Sequence, residues 1–301
     1  MSTQKQNGDE KCESLLDRTR VVQMGILNAT PDSFSDGGMH NTPTTALKQA
    51  LELVNAGAHI IDIGGASARP GSVLPSADEE WQRVADVLDI LKTNLPKHIL
   101  ISLDTCSPAV ALRAAERNCI DIINDVAASR ASMKVGEKFG VAENWPEEIT
   151  TAHVAAKYRL GLIVMHMQGE PHNMQANPTY ENCVEEVSAF LEERANFARI
   201  LGVQWCAIDP GIGFGKTLEH NLSLLSKEGL ARLSASGTPV LIGLSRKSFL
   251  KNLAERKGEY PLFHSLAAER KWRDEQSKLW EDACAEWGAR IIRTHSIKKT
   301  R

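Results

Sequence analysis

The chain has 301 residues, of which 42% are hydrophobic and 24% are charged, and its formal net charge is −3. This composition is typical of a globular protein with a large core, and no apolar run approaches the length of a membrane span. The small net charge excludes a globally basic surface for nucleic acid, so any anion site must be local.

The six cysteines form no CxxC pair and show no zinc-ligand spacing with the nine histidines. Free buried thiols are therefore favoured over disulfides or a metal site, as expected in a reducing compartment. The N-terminal sequence also lacks the apolar segment of a signal peptide. Together these features predict a cytoplasmic protein.

Residues 1–19 are polar and predict a disordered or loosely attached segment. Short apolar runs rich in β-branched residues follow, and they are continuous rather than alternating, as in parallel strands buried on both faces. Eight such runs occur, at residues 21–27, 59–63, 98–103, 120–123, 161–165, 205–208, 239–244 and 289–292.

Amphipathic segments long enough to form helices separate most of these runs. They occur at residues 44–56, 79–94, 108–117, 180–201 and 219–235. Strands and helices that alternate eight times predict an α/β fold, a single (β/α)₈ TIM barrel over residues 20–301. A doubly wound open sheet is the alternative.

Polar residues follow every predicted strand, and in a barrel the carboxyl ends of all strands face one mouth. This pattern predicts a functional site built from many strands. The residues are Asn28, Asp32, Asp62, Arg69, Asp104, Asn124, Asp125, His166, Asp209, Ser245, Arg246, Lys247, Arg293 and His295. Individual residues have simpler roles open to them, as caps or turns, and Arg69 and Arg293 could pair with Asp62 or Asp104 at the rim.

The sixth predicted strand runs into the glycine-rich sequence AIDPGIGFGKT at residues 207–217. Glycines at every second position allow positive φ angles and a close approach of the main chain. A P-loop is excluded because Pro210 occupies the position of its first glycine, and the dinucleotide-binding fingerprint does not match either. A simple connecting turn is the remaining alternative to a binding loop.

Two groups of residues at the predicted mouth have different chemistry. Asp104, Asn124, Asp209 and Lys247 provide carboxylates, an amide and a cation, which suit a planar ring with an amino-pyrimidinone edge. A second group consists of an amide, two arginines and a histidine, which suit a phosphate or pyrophosphate. Its members are Asn28, Arg69, Arg293 and His295. Asn28 also offers an oxygen ligand for Mg²⁺.

Eight sequence blocks, in this order, resemble the dihydropteroate synthase family. They are GILNATPDSFSDGG (25–38), IIDIGGASARPGS (60–72), ISLDT (101–105), IIND (122–125), LIVMHMQGEP (162–171), IDPGIGFGKT (208–217), GLSRKSFL (243–250) and IIRTH (291–295). The resemblance implies a homodimeric TIM-barrel transferase of folate biosynthesis. Such an enzyme joins 6-hydroxymethyl-7,8-dihydropterin pyrophosphate to p-aminobenzoate, releases pyrophosphate and is inhibited by sulfonamides.

The resemblance also implies a role for each matching residue. The pterin would be held by Asp104, Asn124, Met165, Asp209 and Lys247, and the pyrophosphate with Mg²⁺ by Asn28, Arg69, Arg293 and His295. The p-aminobenzoate site would comprise Pro70, Phe214, Lys216 and Ser245. Asp36 would steady the positive charge that develops on the pterin methylene, and Lys247, Arg293 and His295 would share in catalysis.

The sequence departs from the family pattern in three places. Residues 64–71 are GGASARPG instead of GGESTRPG, and Ser296 replaces the usual Asp just before the expected last helix, which is missing. Residues 127–159 form a longer segment than usual, with an inserted surface helix or loop expected there. A pterin-binding paralogue of low activity and a pterin-dependent methyltransferase are therefore the alternatives.

Overall fold

The computed structural model describes residues 7–18, 20–29, 42–66, 71–134 and 145–297. Four predicted site residues, Asp32, Asp36, Arg69 and Pro70, lie outside the described residues. Within the described ranges, no helix is both long and apolar enough to cross a membrane.

The described residues form ten strands and ten helices. The strands are β1 (Val22–Asn28), β2 (Ile60–Gly64), β3 (Leu100–Asp104), β4 (Ile122–Asp125), β5 (Met133–Lys134), β6 (Glu148–Ile149), β7 (Gly161–Met165), β8 (Cys206–Asp209), β9 (Leu241–Gly243) and β10 (Ile291–Thr294). The helices are α1 (Gly8–Arg18), α2 (Pro43–Ala56), α3 (Ala77–Asn94), α4 (Pro108–Glu116), α5 (Thr151–Tyr158), α6 (Cys183–Ile200), α7 (Leu218–Leu224), α8 (Lys227–Ser234), α9 (Ser248–Lys257) and α10 (Leu266–Glu286).

Eight strands pair in the order β8-β7-β4-β3-β2-β1-β10-β9. Every neighbouring pair is parallel. A parallel bridge between Ile208 and Val240 joins the two ends of this sheet and closes it. The predicted TIM barrel is therefore confirmed, and the open-sheet alternative is wrong.

Two apolar layers explain why the strand sequences are continuously hydrophobic. Side chains such as Met24, Ile122 and Leu241 fill the barrel interior. Their strand neighbours, such as Ile123 and Ile242, pack outward against the helices. Both faces of each strand are thus largely buried, and most of the polar residues stand at or just beyond the strand ends.

Hydrogen-bonding side chains begin most helices at positions that the sequence indicates. Ser76 forms a capping box with Glu79 at the start of α3. The helix predicted over 219–235 is instead two helices, because Ser226 accepts a hydrogen bond from the Gly229 amide and starts α8. Gly229 packs so closely on the carbonyl of Ser223 that a Cβ would lie 2.2 Å from that oxygen.

The prediction that residues 1–19 are disordered or loosely attached is wrong for the part that the structure describes. Helix α1 closes the amino-terminal end of the barrel, where Cys12 is buried in the interior cluster that includes Trp205. Lys11 forms an ion pair with Asp121 at 2.6 Å. Few apolar residues suffice for this helix because the barrel end already supplies the apolar surface.

Residues 127–159, where an inserted helix or loop was predicted, contain a short strand pair and a regular barrel helix among the described residues. Strands β5 and β6 pair as a short antiparallel hairpin. Helix α5, which follows them, is the barrel helix between β4 and β7. Asp125 joins the two parts, since its carboxylate accepts hydrogen bonds from the Ser129 amide and the Thr151 hydroxyl.

Candidate active site

The strand register brings the predicted residues to one mouth. Asn28 lies beside Gly64, Gly64 beside Asp104, and Asp104 beside Asn124 on successive strands. Because all the strands are parallel, these residues share the carboxyl end of the barrel. The site predicted from the strand ends is therefore assembled by the register itself.

A buried ion-pair network centred on Arg293 occupies one side of the mouth. The Arg293 guanidinium donates from Nε to Asp62 Oδ2 and from Nη2 to Asp104 Oδ2, each at 2.6 Å. Asn124 Nδ2 donates to the same Asp62 oxygen at 3.2 Å. Asp62 is fully buried, and its Oδ1 has no hydrogen-bond partner among the described residues.

This network links the predicted ring-binding and anion-binding groups. The sequence allowed Arg293 either as an anion ligand or as the partner of Asp62 and Asp104, and the structure shows it paired with both acids. Asp62 was left outside the predicted ligand sets, although its place at a strand end was visible. Only the fold reveals that it holds both Arg293 and Asn124.

Burial sets the protonation of this network. Desolvation raises the pKa of Asp104 to about 7, against the opposing effect of the Arg293 charge. Burial alone would lower the pKa of Arg293, but the Asp62 and Asp104 carboxylates raise it well above its usual value. Arg293 therefore stays cationic, whereas the charge of Asp104 changes near neutral pH.

Asp209 and the glycine-rich loop form the opposite side. Asp209 Oδ1 accepts a hydrogen bond from the Gly211 amide at 2.7 Å, and burial raises the pKa of this carboxyl group. A Cβ on Gly211 would lie 1.9 Å from the carbonyl oxygen of His166. The three alternate glycines have positive φ, at +66° for Gly211, +83° for Gly213 and +63° for Gly215.

The positive φ angles and the close main-chain approach that alternate glycines allow are thus both observed. The main chain that the glycines approach most closely belongs to the loop after β7, since a Cβ on Gly215 would lie 2.4 Å from the carbonyl oxygen of Gln168. Tyr180 and Gln175 of the same loop donate to the carbonyls of Gly215 and Gly213 at 2.7 and 2.6 Å. The glycine-rich loop is therefore held rigidly before any ligand binds.

Lys247 connects the two sides of the mouth. Its Nζ donates to the carbonyl of Ile212 and lies 4.5 Å from the centroid of the Phe214 ring. Burial lowers the pKa of Lys247 to about 8, although the Asp209 carboxylate raises it. The ammonium thus stands between the carboxylates predicted to hold the pterin and the ring predicted to face p-aminobenzoate.

An apolar wall lies next to this lysine. Met165, which is paired with Asp209 across β7 and β8, clusters with Met167 and Met174. Phe214 packs against the same cluster. A flat ring can therefore contact thioether and aromatic surface on one side while its edge meets the carboxylates.

Lys216 does not point into the mouth as its predicted role would suggest. It is only 3% exposed, and its Nζ lies 2.9 Å from His166 Nδ1 and donates to the Phe214 carbonyl at 3.0 Å. Burial lowers the pKa of Lys216 to about 7 and that of His166 to about 3. The lysine thus fastens the segment that carries Phe214.

Ser245 and His295 form a pair across β9 and β10. The Ser245 Oγ accepts from the His295 amide at 3.2 Å and lies 3.1 Å from His295 Nδ1. The neighbouring Ser248 is exposed and is the first residue of α9, whose N-cap Lys247 makes no side-chain cap bond. Ser248 is a further candidate site residue that was not predicted from the sequence, although its hydroxyl stands in the block GLSRKSFL.

The described residues contain no group of three or more His, Cys, Asp or Glu side chains placed to hold a metal ion. Asn28, at the end of β1, is partly exposed at the mouth. Its side-chain oxygen is of the ligand type that Mg²⁺ prefers.

Comparison with known proteins gives the site a context. The family of pterin binding enzymes matches residues 24–295. The dihydropteroate synthase of Neisseria meningitidis serogroup C is 38% identical over 295 residues, covering 95% of this chain and 90% of that protein.

Solved structures of dihydropteroate synthases are similar to this chain in both fold and sequence. The Xanthomonas albilineans dihydropteroate synthase with 4-aminobenzoic acid superposes with a TM-score of 0.75 at 36% identity, covering 95% of this chain and 90% of that one. The Yersinia pestis dihydropteroate synthase in a sulfonamide drug complex has a TM-score of 0.75 and 36% identity, with 93% and 90% covered.

Proposed function

The chain belongs to the pterin binding enzyme family and to its dihydropteroate synthases, and from this premise we propose its reaction. It condenses 6-hydroxymethyl-7,8-dihydropterin pyrophosphate with p-aminobenzoate to give 7,8-dihydropteroate and pyrophosphate. The enzyme is thus a transferase of folate biosynthesis.

One observation carries the proposal: the Lys247 ammonium, 4.5 Å from the centroid of the Phe214 ring, shares the mouth with the buried Asp209 and the partly exposed Asp104, and both carboxylates raise its pKa against the effect of burial. Carboxylates accept the adjacent N–H donors of an amino-pyrimidinone ring, and an ammonium donates to its oxygen or ring nitrogen. Asn124 adds an amide that can donate and accept. Met165 and Phe214 supply the apolar surface for the ring faces.

The bond changes require little covalent chemistry from the protein. The aniline nitrogen of p-aminobenzoate forms a bond to the pterin methylene carbon, the bond from that carbon to the pyrophosphate oxygen breaks, and the amine loses a proton. The side chains of Arg293 and His295 stabilise the charge on the departing pyrophosphate as preorganised donors, an effect worth several kcal/mol in other enzymes.

Asn28, Arg69 and Asp36 complete the proposal for the leaving group. Mg²⁺ supplies further charge neutralisation when it is bound to the pyrophosphate, and Asn28 is the protein oxygen that fits such a substrate-carried ion. Arg69 adds a second cation to the pyrophosphate. Asp36 stabilises the positive charge on the methylene carbon.

The p-aminobenzoate ring lies against Phe214 and Pro70 in this proposal. Its carboxylate is held near Ser245, Ser248 and the start of α9, where unpaired amide groups favour an anion. Sulfonamides, which mimic p-aminobenzoate, should compete for the same place. Lys216 supports this place through the Phe214 carbonyl.

We further infer a cytoplasmic homodimer. All six cysteines are free, and five of them are buried, which suits a reducing compartment. The dimer rests on the family alone. Light scattering of the purified chain, whose monomer mass is 33.1 kDa, tests it directly.

The test of the reaction is pyrophosphate release by the purified protein with Mg²⁺. Release should require both the pterin pyrophosphate and p-aminobenzoate and should equal the dihydropteroate formed. Lys247→Met should abolish it, whereas Lys251→Met, on an exposed turn of the same helix, should not. Binding of pterin pyrophosphate in calorimetry without any product would favour the alternative, a pterin-binding protein of low activity.

A further inference from the structure

Helix α10 presents an unusual polar face to the barrel. Arg273, Asp274, Ser277 and Glu281 recur at helical spacing, and Ser277 and Glu281 are almost completely buried. A barrel helix normally buries apolar side chains at such positions. These four residues instead reach the ends of β9 and β10, where two groups of site residues begin.

The first contact is with Arg246, between Ser245 and Lys247. Its guanidinium donates to both oxygens of Asp274, at 2.6 and 3.0 Å. Its amide donates to Ser277 Oγ at 3.0 Å, and its carbonyl accepts from Arg273 Nη1 at 3.3 Å. Every polar group of Arg246 is thus bonded to about one turn of α10.

Arg246 needs this support because its φ angle is +61°. A non-glycine residue in the left-handed region is strained and persists only where its surroundings hold it. The turn at Arg246 leads the chain from β9 into α9, so its conformation sets the relative positions of Ser245 and Lys247. Helix α10 therefore determines the conformation of this corner of the mouth.

The second contact is with Thr294, between Arg293 and His295. Glu281 is 2% exposed, and the Thr294 hydroxyl is near enough to stabilise its carboxylate; Thr294 Oγ1 also accepts from the Ser296 amide at 3.3 Å. Glu281 Oε1 has no hydrogen-bond partner among the described residues. Burial raises the pKa of Glu281, and the charges of Lys278, Asp282 and Asp274 on the same helix also affect it.

We propose that α10 is a positioning helix with two separable effects. Asp274 and Ser277 set the corner at 245–248, and hence the pterin and aminobenzoate side of the site. Glu281 sets residues 293–295, and hence the pyrophosphate side. This inference rests on the proposed function, because it assigns two turns of α10 to the pterin half and the pyrophosphate half of the proposed pterin pyrophosphate substrate.

Two probes, each one half of the substrate, test this division by calorimetry with the full-length protein. They are the free 6-hydroxymethyl pterin and inorganic pyrophosphate with Mg²⁺. Asp274→Ala should weaken binding of the free pterin about tenfold, because small displacements of site residues reduce binding substantially, and should leave binding of pyrophosphate unchanged. Glu281→Met should weaken binding of pyrophosphate by a similar factor and leave binding of the free pterin unchanged.

Matched variants separate positioning from general destabilisation. Asp274→Glu and Glu281→Gln keep a hydrogen-bonding group and should recover most of the lost binding. Glu275→Gln, on the exposed face of α10, should bind both probes like the wild type. If Asp274→Ala does not fold, Ser277→Ala removes the acceptor for the Arg246 amide, together with a hydrogen bond to the Arg273 carbonyl within α10, and should show the same selective loss of pterin binding.

Equal losses of both probes in each variant, or no loss in either, would overturn the inference. Failure of the wild type to bind either probe would instead count against the proposed function. The two failures are therefore distinguishable in one set of measurements.

Discussion

Replacing Arg293 by Met removes the guanidinium but keeps most of the side-chain volume. Arg293 is bonded to Asp62 and Asp104 at 2.6 Å each, and Asp62 is fully buried, with Asn124 as the one further partner of its bonded oxygen in the part of the chain that the structure describes. The substitution therefore leaves a buried carboxylate without its cation. We expect a large loss of stability rather than a local effect on binding alone.

The size of the loss follows from the burial of the pair. Removing one partner of a buried ion pair costs about 3–5 kcal/mol. Each kcal/mol shifts the melting temperature of a domain of this size by about 2–4 °C, so Arg293→Met should melt about 6–20 °C below the wild type. Arg117→Met, which breaks an exposed pair with Asp89, should cost at most about 1 kcal/mol.

The loss should also depend on pH. Without Arg293, the pKa of Asp104 rises further in the folded protein, so this carboxyl group binds its proton more tightly when folded than when unfolded. Its contribution to stability is then present at low pH and lost as pH rises through the raised pKa. The difference in melting temperature between wild type and Arg293→Met should therefore be largest above pH 7, about the pKa of Asp104 in the wild type.

Thermal melts of wild type, Arg293→Met and Arg117→Met in matched acidic and alkaline buffers measure these effects. A melting temperature of Arg293→Met close to that of the wild type in alkaline buffer would refute the reasoning, as would a loss that is the same in both buffers. In calorimetry, Arg293→Met should lose more affinity for pterin pyrophosphate than for free hydroxymethyl pterin. Equal loss of both would assign Arg293 to the barrel rim alone.

Three further predictions concern single residues. Gly211→Ala should destabilise the protein by more than the cost of the left-handed conformation, about 1–2 kcal/mol, because its Cβ would also collide with the His166 carbonyl. Gly258 has a φ of +69° but open space around it, so Gly258→Ala should show the conformational cost alone in urea melts. Equal costs for the two substitutions would contradict this prediction. Glu281→Gln should gain stability over the wild type as pH rises, because burial raises the folded pKa of Glu281 to about 7 and the wild type must ionise a buried group between its ordinary value and that pH; a melting difference that does not change with pH would disprove it. Lys216→Met should raise the KM for p-aminobenzoate by displacing Phe214, and replacing its partner by His166→Ala should do the same in steady-state assays, whereas a direct role of Lys216 as a ligand would leave the histidine variant unaffected.

The barrel strands were predictable because each is largely buried on both faces and has polar residues at or shortly after its carboxyl end. The predicted starts differ from the observed ones by two residues at most, as at β3, which begins at Leu100 instead of 98. The pairing order and its closure at Ile208 and Val240 are consistent with the alternation of strands and helices. Local sequence carries this information because the burial pattern repeats with every strand.

Helices α1 and α10 were not predicted, for opposite physical reasons. Helix α1 has few apolar residues and gains its apolar partner, Trp205, only from the barrel. Helix α10 buries Ser277 and Glu281, so its inward face lacks the apolar stripe that indicates a helix. In both cases the stabilising contact lies far away in the sequence.

The candidate site shows the same limit. Residue types at the strand ends identified Asp104, Asn124, Asp209 and Lys247 as one group and placed Arg293 in a second group, and the register brings their strands together in one barrel. The direction of each side chain was not predictable, as Lys216 shows, because hydrogen bonds to a neighbouring loop decide it.

The helix that closes the barrel has a consequence for the order in which the protein folds. Helix α1 is the first described element to be synthesised, yet Lys11 pairs with a residue 110 positions later and Arg159 with one 150 positions earlier, Asp9. Closing such long loops is slow and must follow the assembly of the elements between them. We therefore expect α1 to dock only on a nearly complete ring of strands, so that protection of its amides from hydrogen exchange would mark the end of folding although the helix stands at the beginning of the chain.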